Sequence, residues 1–271
     1  MKIFKSKHKL QKEILNIKNI SFVPTMGGLH KGHESLIKKS KKYGCKSLVT
    51  IFVNPKQFDK KEDFQSYPRN IKKDIQVLKS LNVDFIYLPK IKDIFSFRTK
   101  NEVFLDQFSK KLCGKSRKGH FEGVLNVVNR LLEIIKPKYM LLGNKDFQQL
   151  HLLDKHIKRR KIITKIISCK TIREINGIAC STRNSKMTKK QLNIASKVYW
   201  YLSFKKKIIK KNIKYFDVTC FKKDLMQFGL TKIDYLEVYN LKTLKKPKGK
   251  NEKFKIFIAY FLKKIRLIDN I

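Results

Sequence analysis

The stretch that decides the fold runs from Asn19 to Pro55, NISFVPTMGGLHKGHESLIKKSKKYGCKSLVTIFVNP. Its opening, Asn19 to Thr25, is a short apolar run that enters a glycine-rich turn, the pattern of a strand. HESLIKKSKKYG then sets Leu36 and Ile37 on one face of a helix, with Gly44 as its C-terminal stop. From Leu48 to Val53 the chain is apolar without alternation, as in a strand buried on both faces. Strand, helix and strand form a βαβ unit, and such a unit builds a parallel sheet.

The alternation continues outward. Upstream, Lys12 to Ile17 reads as part of an amphipathic helix. Downstream, YPRNIKKDIQVLKSLNV is helical, DFIYLP a strand, GVLNVVNRLLEIIKP a strongly apolar helix and KYMLLG, Lys138 to Gly143, another strand. The expected fold is α/β, a Rossmann-like parallel sheet with helices on both faces. Ligands in that architecture sit at the carboxyl ends of strands, where VPTMGG, FVNPKQF and LLGNKDFQQ all begin. Beyond KIITKIISCKTIREINGIACSTRN the character changes. Asn176-Gly177 between apolar segments predicts a type I′ hairpin turn, and lysine-rich helix mixes with short strands such as IDYLEVYN and KIFIAYF. We therefore expect a domain over residues 1–176 and a smaller α+β domain over 177–271.

Composition narrows the class. The 271 residues are 42% hydrophobic and 11% aromatic, enough for a packed core and too much for a disordered polymer. The formal charge of +43, from 64 basic residues against 21 acidic ones, invites a nucleic-acid reading. Lysine, however, occupies polar positions along the whole chain beside abundant Ile, Asn and Phe, with no tail or stripe. That spread reads as compositional drift, with loose polyanion binding as its side effect and no specific nucleic acid as a partner. Cys45, Cys113, Cys169, Cys180 and Cys220 are odd in number and form no C-x-x-C pair, so neither a disulfide framework nor a zinc site is expected. No signal-peptide core or membrane-length apolar run occurs, which points to a reducing cytoplasm and no membrane.

Two motifs offer phosphate chemistry, and one fails. GKS at Gly114 to Ser116 suggests a P-loop, but that motif needs glycine where Ser109 stands, and no buried strand leads into it. TMGGLHKGH is coherent. Gly27 and Gly28 permit close backbone approach, Gly32 removes a side chain at the helix start, and His30 and His33 lie on one face of the first turn. A helix N-terminus favours anions, and histidine, with its ordinary pKa of about 6.5, can give a hydrogen bond or a proton to charge developing on phosphorus.

The H-x-G-H of His30 to His33 resembles the signature of the nucleotidylyltransferase superfamily, and PTMGGLHKGHESLI is similar to its form in the pantothenate synthetases, the pantoate–β-alanine ligases. IFVNPKQF, YPRN, CGKSRKGHFEGV, LLGNKDFQQL, REINGIACSTRN and the terminal IRLIDNI resemble blocks of that one family in order. The resemblance implies ATP-dependent joining of pantoate to β-alanine through a pantoyl adenylate, with release of pyrophosphate and AMP.

It also implies roles. Met26, Gly27, Gly28, Leu29, His30, Lys31, Gly32 and His33 would line the ATP site, with His33 the proton donor. Gln57 would contact both acids, with Asn54 on the same loop, and Gln149 would be the second pantoate amide, with Gln148 its non-contacting neighbour. Gly143, Asn144, Lys145 and Asp146 would meet the nucleotide, although the family usually has an acid or glutamine at position 144. Ile172 would meet adenine through its backbone. Cys180, Ser181, Thr182 and Arg183 match an ATP-binding segment that more often carries two serines. Arg117 and His120 either border the acid pocket or stabilise a turn, and the family generally has proline where Lys118 stands. Mg²⁺ is implied as the companion of ATP, held by phosphate oxygens and water without a dedicated carboxylate cage. A homodimer and a C-terminal lid are implied as well. His8, His151 and His156 are left as structural or exposed.

Overall fold

The computed structural model describes residues 1–43, 46–248 and 252–271. Gly44, the expected helix stop, and Cys45 lie outside the described residues, as do Gly249 and Lys250 of the lysine run LKTLKKPKGK. The chain divides into two compact units, Met1–Thr171 and Ile172–Ile271, so the division falls a few residues before the Asn176-Gly177 turn.

In the first unit β1 (Lys2–Phe4) and α1 (Lys7–Ile14) lead to β2 (Ile20–Thr25), α2 (Lys31–Ser40) and β3 (Lys46–Ile51). There follow α3 (Lys61–Gln65), α4 (Ile71–Ser80), β4 (Phe85–Tyr87), α5 (Ile91–Phe95), α6 (Leu112–Ser116), α7 (His120–Ile135), β5 (Tyr139–Gly143), α8 (Phe147–Arg159) and β6 (Lys165–Cys169). The strands form one parallel sheet in the order β1-β4-β3-β2-β5-β6. Register aligns Phe85, Leu48, Phe22 and Met140 in one row and Ile86, Val49 and Val23 in the next. Successive strand residues point to opposite faces, and all seven side chains are buried, so both faces are covered. Each such side chain contributes about 1.5–3 kcal/mol by leaving water. On one face Val23, Val49, Ile86 and Leu141 pack with Leu36 and Ile37 of α2 and Leu78 of α4.

Helix α1 begins before the expected Lys12–Ile17 segment and shares residues 12–14 with it. Leu10 and Ile14, four residues apart, are its buried pair, whereas Leu15 is 80% exposed. Gly114 to Ser116 form the end of the short α6, not a loop after a strand.

The second unit carries α9 (Lys189–Lys211) and α10 (Val218–Gln227) with an antiparallel sheet of β7 (Lys232–Asn240), β8 (Phe254–Leu262) and β9 (Ile265–Asn270). Thr188 and Gln191 form a capping box at the start of α9. Leu202, Ile209, Leu225, Ile256 and Ile258 join its core. The turn at Asn176-Gly177 is present but is not type I′, because among the described residues Asn176 is absent from those with positive φ while Gly177 has φ 85°. The Gly177 amide donates to the Glu174 carbonyl at 2.9 Å and Glu174 N to Ile178 O at 2.8 Å, the bonding of a type I turn closed by a glycine bulge. Tyr199 enforces the glycine, since a Cβ there would lie 2.1 Å from its ring.

Candidate active site

The order of the parallel strands reverses between β2 and β5, and the crevice outside the carboxyl ends of those strands is where an open α/β sheet binds ligands. Met26 to His33 follow β2, and Gly143 to Asp146 end β5 and open the turn into α8. Topology thus sets the two stretches expected to meet a nucleotide side by side.

The turn after β2 is held from within. Thr25 Oγ1 donates to the Thr50 carbonyl at 2.6 Å and accepts from Gly27 N at 3.3 Å. Gly27 and Gly28 have φ of 79° and 62°, which glycine adopts without strain. The amides of Gly28 and Leu29 donate to Asp74 Oδ2 and Oδ1 at 2.9 and 2.8 Å. These two donors therefore face a carboxylate of the chain itself.

His30 caps α2 by accepting from Gly32 N at its own Nδ1, 3.1 Å away. That bond places the proton of the neutral ring on Nε2. The His30 and His33 rings lie 4.0 Å apart between centroids. Burial, and after it the charge of Lys145, pull the His33 imidazole from 6.5 down to about 4. The ring is neutral at pH 7. Its buried Nδ1 has no hydrogen-bond partner among the described residues; an orphaned lone pair there costs less than an orphaned N–H, so the proton belongs on Nε2. Both rings then offer Nε2–H donors, and Lys145 adds a positive charge.

Gln57 lies in the turn Pro55–Gln57 after β3, where Asn54 accepts from Lys56 N at 3.1 Å. The buried Asn54 amide also donates to the Gly123 carbonyl at 3.1 Å and to Gln57 Oε1 at 3.4 Å. Gln57 Nε2 reaches Met26 Sδ, which brings the β3 loop to the β2 turn. Helix α7 presses on this loop so closely that a Cβ on Gly123 would meet Lys56 O at 2.1 Å. His120 Nδ1 donates to the Gln57 carbonyl at 2.7 Å, and Arg117 donates to His120 Nε2 at 3.1 Å, to Gln57 O at 3.2 Å and to Asp59 at 2.8 Å. Of the two readings left open for Arg117 and His120, this geometry favours the stabilised turn.

The adjacent amides separate cleanly. Gln148 is buried, donating to Phe108 O and Lys111 O at 2.7 and 2.8 Å and accepting from Cys113 N at 3.1 Å. Every polar group of its side chain is used for structure, whereas Gln149 is half-buried. A Cβ at Gly143 would meet no atom within 4 Å, so packing within the chain does not demand glycine there.

Ile172 and Cys180 to Arg183 belong to the second unit. The Ile172 carbonyl accepts from Cys180 N at 2.9 Å. Cys180 is buried with its thiol directed at Glu174 Oε1, 3.2 Å away, so its side chain faces the unit's interior. Ser181 caps the short turn Thr182–Lys186 by accepting from Arg183 N at 3.3 Å. The other histidines are structural where bonded. His151 donates to Asp106 at 2.8 Å. His156 is wholly buried, accepts from Phe104 N at 3.2 Å and bonds Asn129 Oδ1 at 3.0 Å.

Sequence reasoning missed Asp74. It stands in the lysine-rich start of α4 as one polar residue among many, and its signal, an acid four places before Leu78 and so in line with the buried face, is too common to single it out.

A doubly wound sheet with a glycine turn, an H-x-G-H pair in ring contact and a lysine after the strand at the switch point defines the class as an α/β protein of nucleotide-binding architecture. Comparison narrows this further: the sequence profile of the pantoate-beta-alanine ligase family matches residues 2–271, and the chain belongs to that family. It is 40% identical over 258 residues to a pantothenate synthetase of Flavobacterium psychrophilum, covering 94% of this chain and 92% of that one. A pantothenate synthetase of Thermosipho melanesiensis is 38% identical across 100% and 99% of the two chains. Among solved structures, the pantoate-beta-alanine ligase of Francisella tularensis complexed with beta-gamma ATP and beta-alanine is 37% identical with a TM-score of 0.83, covering 100% of this chain and 97% of that one. A Thermus thermophilus pantothenate synthetase gives 0.91 at 27% identity, over 100% and 99%.

Proposed function

We propose that the chain condenses pantoate with β-alanine in two steps on MgATP. A pantoate carboxylate oxygen attacks the α-phosphorus, the bond to the β-phosphate bridge breaks, and pyrophosphate leaves. The β-alanine amine then attacks the acyl carbon of the adenylate; the carbon–oxygen bond to AMP breaks and the nitrogen gives up a proton as the amide forms. No covalent enzyme intermediate is required, so the chain's work is to hold reactants in line and to offset phosphate charge, and positioning alone can be worth about 7–11 kcal/mol.

The observation that carries the reading is the convergence of His30, His33 and the Lys145 charge beside a β2 turn that also touches Gln57. The two Nε2–H donors and Lys145 bind the triphosphate. A neutral His33 first donates a hydrogen bond; the incoming phosphate charge raises its proton affinity, and only then does it become the proton donor for the departing pyrophosphate. Gln57 and Gln149, amides that donate and accept without adding charge, hold the acids. The open space before Gly143 admits the nucleotide, with Asn144 and Asp146 beside it. In the second unit Ser181, Thr182 and Arg183 contact ATP by side chain, Ile172 and Cys180 by backbone. Mg²⁺ enters as part of the substrate, coordinated by the nucleotide's phosphate oxygens and water. Among the described residues no three His, Cys, Asp or Glu groups converge as metal ligands. No helix among them is long and apolar enough to cross a membrane. We place the enzyme in the cytoplasm as a homodimer.

The test is the purified protein with MgATP, pantoate and β-alanine. AMP and pantothenate should appear in equal amounts, and without β-alanine pyrophosphate exchange should depend on pantoate. AMP formed without either acid, or no AMP at all, refutes the reading.

A further inference from the structure

Asp74 has no role in the chemistry above, yet it is only 3% exposed and both its oxygens accept amides of the nucleotide turn. A carboxylate taken out of water is stable only where such donors replace its hydration. The pairing is also close on its other side. A Cβ on Gly27 would lie 2.8 Å from Asp74 Oδ2 and 3.0 Å from Ile51 Cγ2, so the turn and the acid fit only without a side chain there.

We propose that Asp74 is the positioning residue of the nucleotide site, an internal anion that fixes the Gly27 to Leu29 turn and thereby sets His30 and His33 for the triphosphate. Successive backbone amides in a turn, as at Gly28 and Leu29, form a concavity that takes up an anion. Here the chain fills it with its own carboxylate. The turn is consequently ordered before the nucleotide arrives, and the entropy of ordering it is not charged to binding. Asp74 sits on α4, whose Leu78 is buried in the sheet core, so the turn is referenced to a rigid element.

The inference rests on the functional reading above, and its test separates the two. Asp74→Asn keeps the side chain's size but presents one carbonyl oxygen and one NH₂ where two oxygens now accept. One of the two turn amides loses its acceptor and meets a donor. Binding of a non-hydrolysable ATP analogue, measured by calorimetry on the full-length protein, should weaken about tenfold or more, as loss of a hydrogen bond to a charged group implies. The KM for ATP should rise in parallel while the KM values for pantoate and β-alanine stay within about twofold and circular dichroism shows the fold retained. Gly27→Ala, which drives a methyl into Asp74, should reproduce the ATP-selective defect. An Asp74→Asn protein with wild-type nucleotide affinity, or one whose loss is shared equally by all three substrates, overturns the proposal. A wild type that binds no nucleotide overturns the functional reading and this inference with it.

Discussion

At the residue scale the informative group is His33, because its environment sets which chemistry it can do. A histidine near its ordinary pKa would be partly charged at pH 6.5, but burial and Lys145 hold this one to about 4. Its neutral form therefore prevails at every pH above about 4. We expect kcat/KM for ATP, which reports the free enzyme, to show no inflection from this group between pH 6 and 8 and to bend on its account only near pH 4. His33→Ala should lower turnover by about 10²- to 10⁴-fold with the fold retained, as checked by circular dichroism. An inflection near 6.5 that disappears in the variant would show that the ring is solvated. The residue types of this site were legible in the sequence, because glycines before a pair of histidines at i and i+3 are unusual. Their protonation was not, since it depends on Lys145, more than a hundred positions away in the chain.

At the scale of elements, helix α7 and the Pro55–Gln57 turn behave as one piece. The contact is made by backbone approach at Gly123 and by Arg117 and His120, which donate to the Gln57 carbonyl while Arg117 also donates to Asp59. His120→Ala removes a hydrogen bond worth about 1 kcal/mol, so the KM values for the two acids should rise about fivefold with that for ATP unchanged. His120→Asn, which can still donate to the carbonyl, should restore part of the loss. An equal change in all three constants would mean that the latch supports the whole fold instead of this loop. Strands and crossover helices were legible where apolar runs are long: β2, β3, β5 and α7 fall where Phe22, Leu48, Met140 and Leu125 lead one to expect them. Three-residue β1 was not, because Lys2 to Phe4 has no pattern to distinguish it from the charged segment beside it. The final strand, β9, was likewise read only as a family block. Asn176-Gly177 announced a turn but not its type, since Tyr199 and the bond from Gly177 to Glu174, not the dipeptide, select the geometry.

At the scale of the molecule, two histidines with lowered pKa values tie stability to pH. His33 and His156 both titrate at about 4 when folded, the latter through burial first and then the charge of Arg160, but near 6.5 when unfolded. Between those values the unfolded chain binds more protons, so stability present above 6.5 is lost as the pH falls toward 4. Calorimetric melting should show a temperature that drops steadily from pH 7 to 5, and His156→Gln should flatten that slope even if it lowers the melting temperature at pH 7. A melting temperature independent of pH across this range would place both rings in water. The sheet order has a separate consequence for how the molecule is made. Among the described residues strand β1 pairs only with β4, Ile3 against Ile86, at the sheet's outer edge. A ribosome adding about 5–20 residues per second delivers that partner on the order of ten seconds after β1 emerges. Strand β1, synthesised well before its partner, is therefore among the last of its half of the sheet that can be seated, and β2 and β3 can pair while it waits.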